Sequence, residues 1–480
     1  MDKTYKVKKW GINGEGIAFD RRKPVFIEGA MPGEVVKAEV TSRTPSYEKA
    51  ELKQVLQPSA RRRDAICPHA EECGGCALMH VKYKEQAKMK EQLLKEALKK
   101  YAGYTGPVEP ILKNPSPLAY RNTLKLPVSM VDGRLRTGMY ERGSNDFVAL
   151  DRCVIHQKEL EFARKAIEDV LNEHEVLSYN KKRGYGLRSL VMREFDGKIQ
   201  VILVTGTEEL PEGLAEDLLK VENVVSLWQS VRTDEENGVD VFGDTLLHLG
   251  GEKTMHVRVG SCNLQLLPRS FYQLNTKQAE QLYDKVVSFI PDHCGTLVEA
   301  YSGIGAISLL AANKADQVIG IELNPDAVQS ANANAVENNI SNARFICGDA
   351  GQELKRLEEE TKIDTLVVDP PRSGLDEIMR GAILDSNVDR LIYVSCNPAT
   401  LAKDLYDLQE EYKIQTIQPV DMFSQTPHVE SICLLTPSKN APKKFEKKGP
   451  SKGVQKPKKD LNPYEKALME LRQSKKNKKK

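Results

Sequence analysis

From about residue 263 to residue 437, strand-like apolar runs alternate with helical patterns, and this alternation constrains the fold more than any other feature. Residues 296–301 have the pattern of a strand and turn into an apolar helix at 306–312. Further strand-like runs follow at 317–321, 344–346, 366–368 and 391–394. Such alternation is typical of a parallel sheet with helices packed on its faces. The sequence therefore predicts a Rossmann-like, doubly wound α/β domain over residues 263–437.

The turn after the first of these strands indicates a cofactor site. Residues 302–305 read S-G-I-G, and the next strand ends in Glu322. A glycine turn lets a ligand approach the backbone, and an acid at the neighbouring strand tip can accept both hydroxyls of a ribose. A dinucleotide would require G-x-G-x-x-G/A, but the third position is Ser308. Because Asp349 and Asp369 follow the third and fourth strands, we favour S-adenosylmethionine over a dinucleotide.

Two neighbouring strands end in short polar motifs, D-P-P-R at residues 369–372 and S-C-N-P at residues 395–398. Open α/β sheets bind their ligands outside the carboxyl ends of the strands. A carboxylate and a thiol should therefore share one crevice, with Cys396 as a nucleophile. Glu430, which opens a last strand at 431–435, is the candidate base. Taken singly, Cys396 would also fit a buried structural thiol and Glu430 a surface acid at a strand end.

A cysteine, a base and a methyl donor in one pocket suit one particular reaction. Carbon 5 of a uracil is a poor nucleophile, but addition of a thiolate at carbon 6 makes it reactive enough to attack a methyl sulfonium. A base then removes the hydrogen from carbon 5, and elimination releases the enzyme. Since a free thiol is only a few per cent ionised at neutral pH, its surroundings should lower its pKa.

The rest of the chain divides into three parts by composition. A length of 480 residues predicts about three domains. Residues 1–59 contain short strands with glycine turns, which predicts a small β-barrel of a kind that can bind nucleic acid, or a plain structural one. Residues 60–262 are β-rich, with arginines among tyrosines, which suits RNA. Residues 438–480 hold 16 Lys and Arg but 4 Asp and Glu, which predicts a disordered basic tail that attracts polyanions or only aids solubility.

One helix and the location of the protein can also be predicted. Residues 85–101 alternate charged and apolar side chains at helical spacing, which predicts a solvated amphipathic helix. No run of about 18 apolar residues occurs, so a membrane span is not expected. The N-terminus lacks the apolar stretch of a secretory signal. We expect a cytoplasmic monomer.

Four of the nine cysteines form a candidate metal site. Cys67, Cys73 and Cys76 follow a C-x5-C-x2-C spacing, and Cys153 is a fourth candidate. In a cytoplasmic chain such cysteines are more often metal ligands or catalytic groups than disulfides. The spacing lacks the paired C-x2-C knuckles of structural zinc sites. It favours an iron–sulfur cluster, with zinc as the alternative.

Together these motifs resemble the RNA uracil-C5 methyltransferase family over nearly all of residues 1–437. The resemblance implies that residues 1–59 form a TRAM domain and that the four cysteines bind a [4Fe-4S] cluster, as in the 23S ribosomal RNA branch. It implies Cys396 as the nucleophile and Glu430 as the base. The implied contacts to S-adenosylmethionine are Gln273, Tyr301, Glu322 and Asp369, with Asp349 a looser match.

The resemblance implies RNA as the partner, with 23S ribosomal RNA favoured over transfer RNA. One departure from the family pattern is Glu299, where an aspartate is common; the longer side chain would shift a hydrogen bond to the cofactor. Two other functions fit parts of the sequence. An amino-group base methyltransferase also uses an acidic-Pro-Pro motif but needs no thiol. An RNA-binding assembly factor with a degenerate fold would not need to keep every reacting residue.

Overall fold

The N-terminal part of the chain forms a six-stranded sheet. The computed structural model describes residues 2–233 and 241–438, which belong to one compact unit. The first six strands are β1 (Asp2–Lys6), β2 (Lys9–Trp10), β3 (Gly16–Asp20), β4 (Lys23–Ile27), β5 (Val35–Arg43) and β6 (Glu48–Gln57). They pair in the order β1-β5-β6-β4-β3-β2, and all pairs except β4 with β6 are antiparallel. Alternate side chains from the strands, among them Val25, Ile27 and Val36, form a small apolar core.

The helix after this sheet is amphipathic, as predicted, with one face exposed to solvent and a wide face buried between two cores. Helix α1 (Tyr83–Ala97) continues into a π-helical turn and ends at Gly103, whose φ is 64°. Leu94 and Leu98 are buried in the same core as the C-terminal sheet. Met89 packs in a second core beside the N-terminal sheet. Lys84, Lys88 and Gln92 stay exposed on the opposite face, so the helix has a solvated face as well as a buried one. The sequence did not indicate how wide the buried face is.

The middle of the chain forms a second sheet of seven strands. Its elements are β7 (Thr123–Val131), β8 (Arg134–Tyr140), β9 (Phe147–Ala149), α2 (Lys158–Glu173), β10 (Leu187–Phe195), β11 (Lys198–Thr205), α3 (Leu214–Leu218), β12 (Val224–Val231) and β13 (Thr245–Gly251). The strand order is β13-β12-β11-β10-β7-β8-β9. Leu160, Ile167 and Leu171 of α2 pack in one core with strand residues of this sheet. The sheet is therefore covered by α2 on one face.

The C-terminal part is a doubly wound α/β unit preceded by a hairpin. Its elements are β14 (Met255–Val259), β15 (Cys262–Leu266), α4 (Thr276–Phe289), β16 (Cys294–Ala300), α5 (Ala306–Leu310), β17 (Ala315–Glu322), α6 (Pro325–Glu337), β18 (Ala343–Cys347), α7 (Ala350–Glu360), β19 (Thr365–Val368), α8 (Glu377–Asp385), β20 (Arg390–Ser395), α9 (Pro398–Leu408), β21 (Tyr412–Val420) and β22 (Glu430–Pro437). The fold class predicted for this part of the sequence, a Rossmann-like sheet, is confirmed.

The topology of this third sheet places the functional edge. Its order is β18-β17-β16-β19-β20-β22-β21; the first five strands are parallel, β22 runs antiparallel to them, and β21 runs antiparallel to β22. The direction of winding reverses between β16 and β19, and ligands of such sheets bind in the crevice at this reversal. Among the described residues, none of the helices is long and apolar enough to cross a membrane. The basic segment expected at 438–480 lies, apart from Ser438, outside the described residues.

Candidate active site

The S-C-N-P motif joins a buried strand to a helix. Strand β20 ends at Ser395, and Asn397 is the N-cap of α9, where its side chain accepts a hydrogen bond of 3.1 Å from the backbone N–H of Ala399. Pro398 is the first helical residue, a position where its missing N–H costs nothing. Asn and Pro therefore start the helix, and the half-buried Cys396 is left in the tight turn between strand and helix.

The turn that carries Cys396 is bound to the D-P-P-R turn beside it. The side-chain amide of Asn397 donates to the backbone oxygen of Arg372 at 3.1 Å, and the Thr400 hydroxyl donates to the same oxygen at 3.3 Å. Strands β19 and β20 are parallel neighbours, with Val368 opposite Tyr393. The two motifs are thus adjacent at the carboxyl edge of the sheet, as the sequence predicted.

Glu430 reaches the same edge from the other side of Cys396. Strand β22 runs antiparallel to β20 with Ser431 opposite Ser395, so Glu430 begins its strand where β20 ends. Its side chain is buried, unlike that of a surface acid. Asp369 follows the end of β19, Cys396 follows the end of β20, and Glu430 opens β22, so the three residues lie at one edge of three adjacent strands. The structure therefore brings these three residues together.

Burial dominates the electrostatics of this crevice. It raises the pKa of Asp369 to about 7 and, with the nearby Asp369 charge, that of Glu430 to about 8. Burial and the two carboxylates raise the pKa of Cys396 to about 11. Arg372 opposes this shift because it bonds to the thiol and stabilises the thiolate.

The glycine turn after β16 leaves room for a ligand. Tyr301, Gly303 and Gly305 all have positive φ, at 65°, 54° and 83°. A Cβ built on Gly303 would meet no atom within 4 Å, so open space lies above the turn. Glu322 accepts hydrogen bonds from the backbone N–H groups of Gly303 at 3.0 Å and Asn324 at 2.8 Å. Its carboxylate is therefore fixed beside that space, with lone pairs still available to a ribose.

The other two candidate cofactor contacts have different surroundings. Gln273 is buried between β15 and α4, and its backbone oxygen accepts from the Asn122 side chain at 2.9 Å. Asp349 is the N-cap of α7, where it accepts from the backbone N–H of Gln352 at 3.1 Å. Burial chiefly raises the pKa of Tyr301, and the charge of Asp349 adds to this shift, so Asp349 lies near the glycine turn. Helix capping alone accounts for an aspartate at residue 349.

Glu299 does not lie free to bind a ligand. Its carboxylate accepts from both the backbone N–H and the hydroxyl of Ser308, at 2.8 and 2.5 Å. Burial raises its pKa to about 8. Ser308 occupies the third position of the glycine motif, so the pair fixes α5 to the strand that precedes the turn. Two features of the sequence indicate this pair: an acid inside a buried strand, and a serine at a position where glycine is usual.

The four candidate metal ligands pack against two apolar clusters that share Cys153. Cys67, Cys76 and Cys153 pack against one buried cluster, and Cys73 and Cys153 pack against the other. Burial and then the other three thiols raise the pKa of Cys76, so the four interact electrostatically. Burial raises the pKa of Cys153 to about 11, against backbone N–H groups that bond to its sulfur. Four thiols with N–H donors in apolar surroundings are a donor set that fits an iron–sulfur cluster.

The four cysteines are not assembled into a metal site. Within residues 2–233 and 241–438, no group of three or more His, Cys, Asp or Glu side chains is arranged to hold a metal ion. The structure therefore favours neither the iron–sulfur cluster nor the zinc site expected from the sequence.

Two family models match the sequence. Residues 251–438 match the model described as tRNA (Uracil-5-)-methyltransferase, and residues 5–53 match the TRAM domain. A Bacillus cereus protein named as an uncharacterized RNA methyltransferase is 36% identical over 433 residues, which cover 88% of this chain and 94% of that protein. An Enterococcus faecalis protein of the same description is 34% identical over 448 residues, or 90% and 97% of the two chains.

A solved structure shares the fold over most of the chain. It is the Pyrococcus abyssi tRNA (uracil-54, C5)-methyltransferase in complex with S-adenosyl-L-homocysteine, with a TM-score of 0.73 and 25% identity. The match covers 90% of this chain and 99% of that one. The similarity therefore extends beyond the C-terminal sheet to the N-terminal and central parts.

Proposed function

The chain belongs to the RNA (uracil-5-)-methyltransferase family of S-adenosylmethionine-dependent enzymes, and from this premise we propose that it methylates carbon 5 of one uridine through a covalent bond to Cys396. The observation that carries the proposal is the meeting of Cys396, Asp369 and Glu430 at one edge of the sheet, beside the open glycine turn.

The residues of this crevice have separate tasks in the proposed reaction. The Cys396 thiolate bonds to carbon 6 of the uracil, and the electron pair of the C5–C6 double bond moves onto carbon 5 and the neighbouring carbonyl. S-adenosylmethionine supplies a methyl group as an electrophile. Glu430 then takes the hydrogen of carbon 5 as a proton, the bond between carbon 6 and sulfur breaks, and the double bond returns. Arg372 stabilises the thiolate before attack and after release.

The residues around the glycine turn hold the methyl donor in this proposal. Glu322 accepts the ribose hydroxyls, while Tyr301, Gln273 and Asp369 line the rest of the site. Asp349 contributes a charge near Tyr301. Because the uracil must meet a half-buried sulfur, the target nucleotide leaves its stack or lies in a single-stranded loop.

A basic loop in the central part supports RNA as the partner. Residues 180–186 lead into β10 and expose Lys182 and Arg183. Arg183 lies 5.4 Å from the ring centre of Tyr185, and Arg188 lies 3.5 Å from that of Tyr179. Arginine and tyrosine in this arrangement suit phosphates and unstacked bases. We propose that this loop and the TRAM sheet hold the RNA.

We propose 23S ribosomal RNA as the substrate, supported by the cysteine quartet and the TRAM domain. The second candidate is transfer RNA, the substrate for which the Pyrococcus abyssi enzyme is named. The test is transfer of labelled methyl groups from S-adenosylmethionine to unmodified ribosomal and transfer RNA. It is paired with a map of 5-methyluridine in total RNA from a strain that lacks the protein. Loss of a ribosomal site is expected, whereas loss of a transfer RNA site would establish the second candidate.

We also propose that Cys67, Cys73, Cys76 and Cys153 bind a [4Fe-4S] cluster. Protein purified without oxygen should then be brown and contain about four iron and four sulfide per chain. The Cys76→Ala variant should lose the colour, because a half-buried ligand is removed, while the Cys347→Ser variant of an exposed cysteine should keep it. Colourless wild-type protein with one zinc per chain would contradict this assignment.

A further inference from the structure

Helix α1 carries a lysine that is buried completely. The Lys90 side chain is 0% exposed and forms an ion pair with Asp421, which is also 0% exposed. A second N–H of Lys90 donates to the backbone oxygen of Phe423 at 2.9 Å. Removing two charges from water is unfavourable, and apolar side chains of the same volume often stabilise a fold as well or better. Packing alone therefore gives no reason for a charged pair here.

The pair belongs to a buried network around one segment. Asp421 also accepts hydrogen bonds from the Tyr83 hydroxyl at 2.8 Å and from the Ser424 hydroxyl at 2.7 Å. The backbone N–H of Asn114 donates to the Tyr83 oxygen at 2.6 Å. Lys90, Tyr83 and Ser424 therefore each bond to a further residue as well as to Asp421. These bonds fix the position of the Asp421 carboxylate.

The segment held by this network leads into Glu430. We call residues 421–428 the base loop; Val420 before it pairs with Glu430 across β21 and β22. On its other side, the backbone N–H of Leu78 donates to the Gln425 oxygen at 2.9 Å, and the Gln425 N–H donates to the side chain of Gln86 at 2.9 Å. The loop is therefore held by α1 and by the segment that follows the cysteine motif.

We propose that Lys90 is a positioning residue for the methylation reaction: it holds the base loop through Asp421 and Phe423 and sets a positive charge near Glu430 that favours the ionised form of this base. The inference rests on the proposed function, in which Glu430 removes the proton from carbon 5. It adds to that function a residue about 340 positions away in the chain.

The charges around Glu430 agree with this role. Asp369 and Cys396 face Glu430 from the ends of β19 and β20, and burial together with Asp369 raises the pKa of Glu430. Arg372, from the D-P-P-R turn, and Lys90, from α1, lower it. His428 of the base loop lies 3.4 Å from Arg372, and burial, Arg372 and Lys90 all lower its pKa, so it is neutral near pH 7 and offers Glu430 no charge. Loss of Lys90 therefore moves Glu430 toward its protonated form, in which it cannot act as a base.

The test uses the double variant Lys90→Met/Asp421→Asn. Lys90→Met alone leaves Asp421 buried without its counter-charge and destabilises the fold. In the double variant the asparagine oxygen can still accept from Tyr83 and Ser424, so the base loop keeps two of its bonds. We measure the fraction of enzyme in a denaturant-resistant complex with RNA that carries a labelled methyl group, at pH 7 and at pH 9. Thermal unfolding of each variant is followed in parallel.

We expect the double variant to accumulate the methylated complex about tenfold above wild type at pH 7 and to release it at pH 9, because Glu430 then ionises. The matched control is Arg164→Met/Glu168→Gln, which removes an ion pair within α2 of the central part, where the Arg164 side chain is 0% exposed. It should lose stability without trapping RNA.

Two outcomes would contradict the role of Lys90, and only the second would also contradict the proposed function. If Glu430→Gln traps the methylated complex but the folded double variant does not, Lys90 has no part in the reaction and the proposed function stands. If neither variant nor wild type ever forms the complex, the covalent mechanism is wrong, and the role of Lys90 is wrong with it.

Discussion

Replacement of Cys396 by alanine is expected to reduce methyl transfer by about a thousandfold or more, because carbon 5 of uracil stays unreactive without a bond at carbon 6. The side chain lies in a half-buried turn and is not part of the core, so the variant should fold and bind S-adenosylmethionine like the wild type. The measurement is transfer of labelled methyl groups to RNA under single-turnover conditions.

The matched control for this prediction is Cys347→Ser, which alters an exposed thiol of the same sheet and should leave the rate unchanged. RNA containing 5-fluorouridine gives an independent readout. Since fluorine cannot leave carbon 5 as a proton does, wild-type enzyme should remain bonded to this RNA in denaturant, and Cys396→Ala should not. Normal turnover by Cys396→Ala would instead support an amino-group methyltransferase, which needs no thiol.

Replacement of Glu430 by glutamine is expected to stop the reaction one step later. Glutamine keeps the shape of the side chain but cannot accept a proton, so release of the methylated RNA should slow by about 10²- to 10⁴-fold. The complex of enzyme and methylated RNA should accumulate and survive denaturant. Glu358→Gln, a change in a half-buried acid of α7 that is bonded to Asn387, is the control and should release RNA normally.

The pH dependence of the wild type checks the same assignment. Burial raises the pKa of Glu430 to about 8, and the residue acts as a base only when ionised. The rate of release should therefore rise about tenfold per pH unit below pH 8 and level off above it. A rate of release that does not change between pH 6 and pH 9 would contradict Glu430 as the base.

The parts of the site that follow directly from local sequence could be predicted. A strand, then a cysteine, then Asn-Pro gives a thiol before a capped helix, because both the cap and the first helical residue are set by neighbours in the chain. Asn324 and Pro325 start α6 in the same way after Glu322. Parallel pairing of neighbouring strands then brings their ends together.

The parts that depend on distant pairings could not be predicted. Nothing near Lys90 indicates that its partner is Asp421, since the contact arises only when α1 packs on the C-terminal sheet. The charges on α1 indicated its solvated face but not the buried ion pair. The same reasoning applies to Gln425, a residue with a φ of 69° whose bonds to Leu78 and Gln86 close the base loop.

The buried face of α1 limits where chimaeras of these enzymes can be joined. Leu94 and Leu98 complete the apolar face of the C-terminal sheet, although the whole central sheet separates them from it in the chain. A gene fragment that begins after residue 262 would encode a catalyst with one apolar face uncovered and no counter-charge for Asp421. Chimaeras between relatives should therefore carry residues 83–102 together with the C-terminal sheet, and exchange only the N-terminal and central sheets.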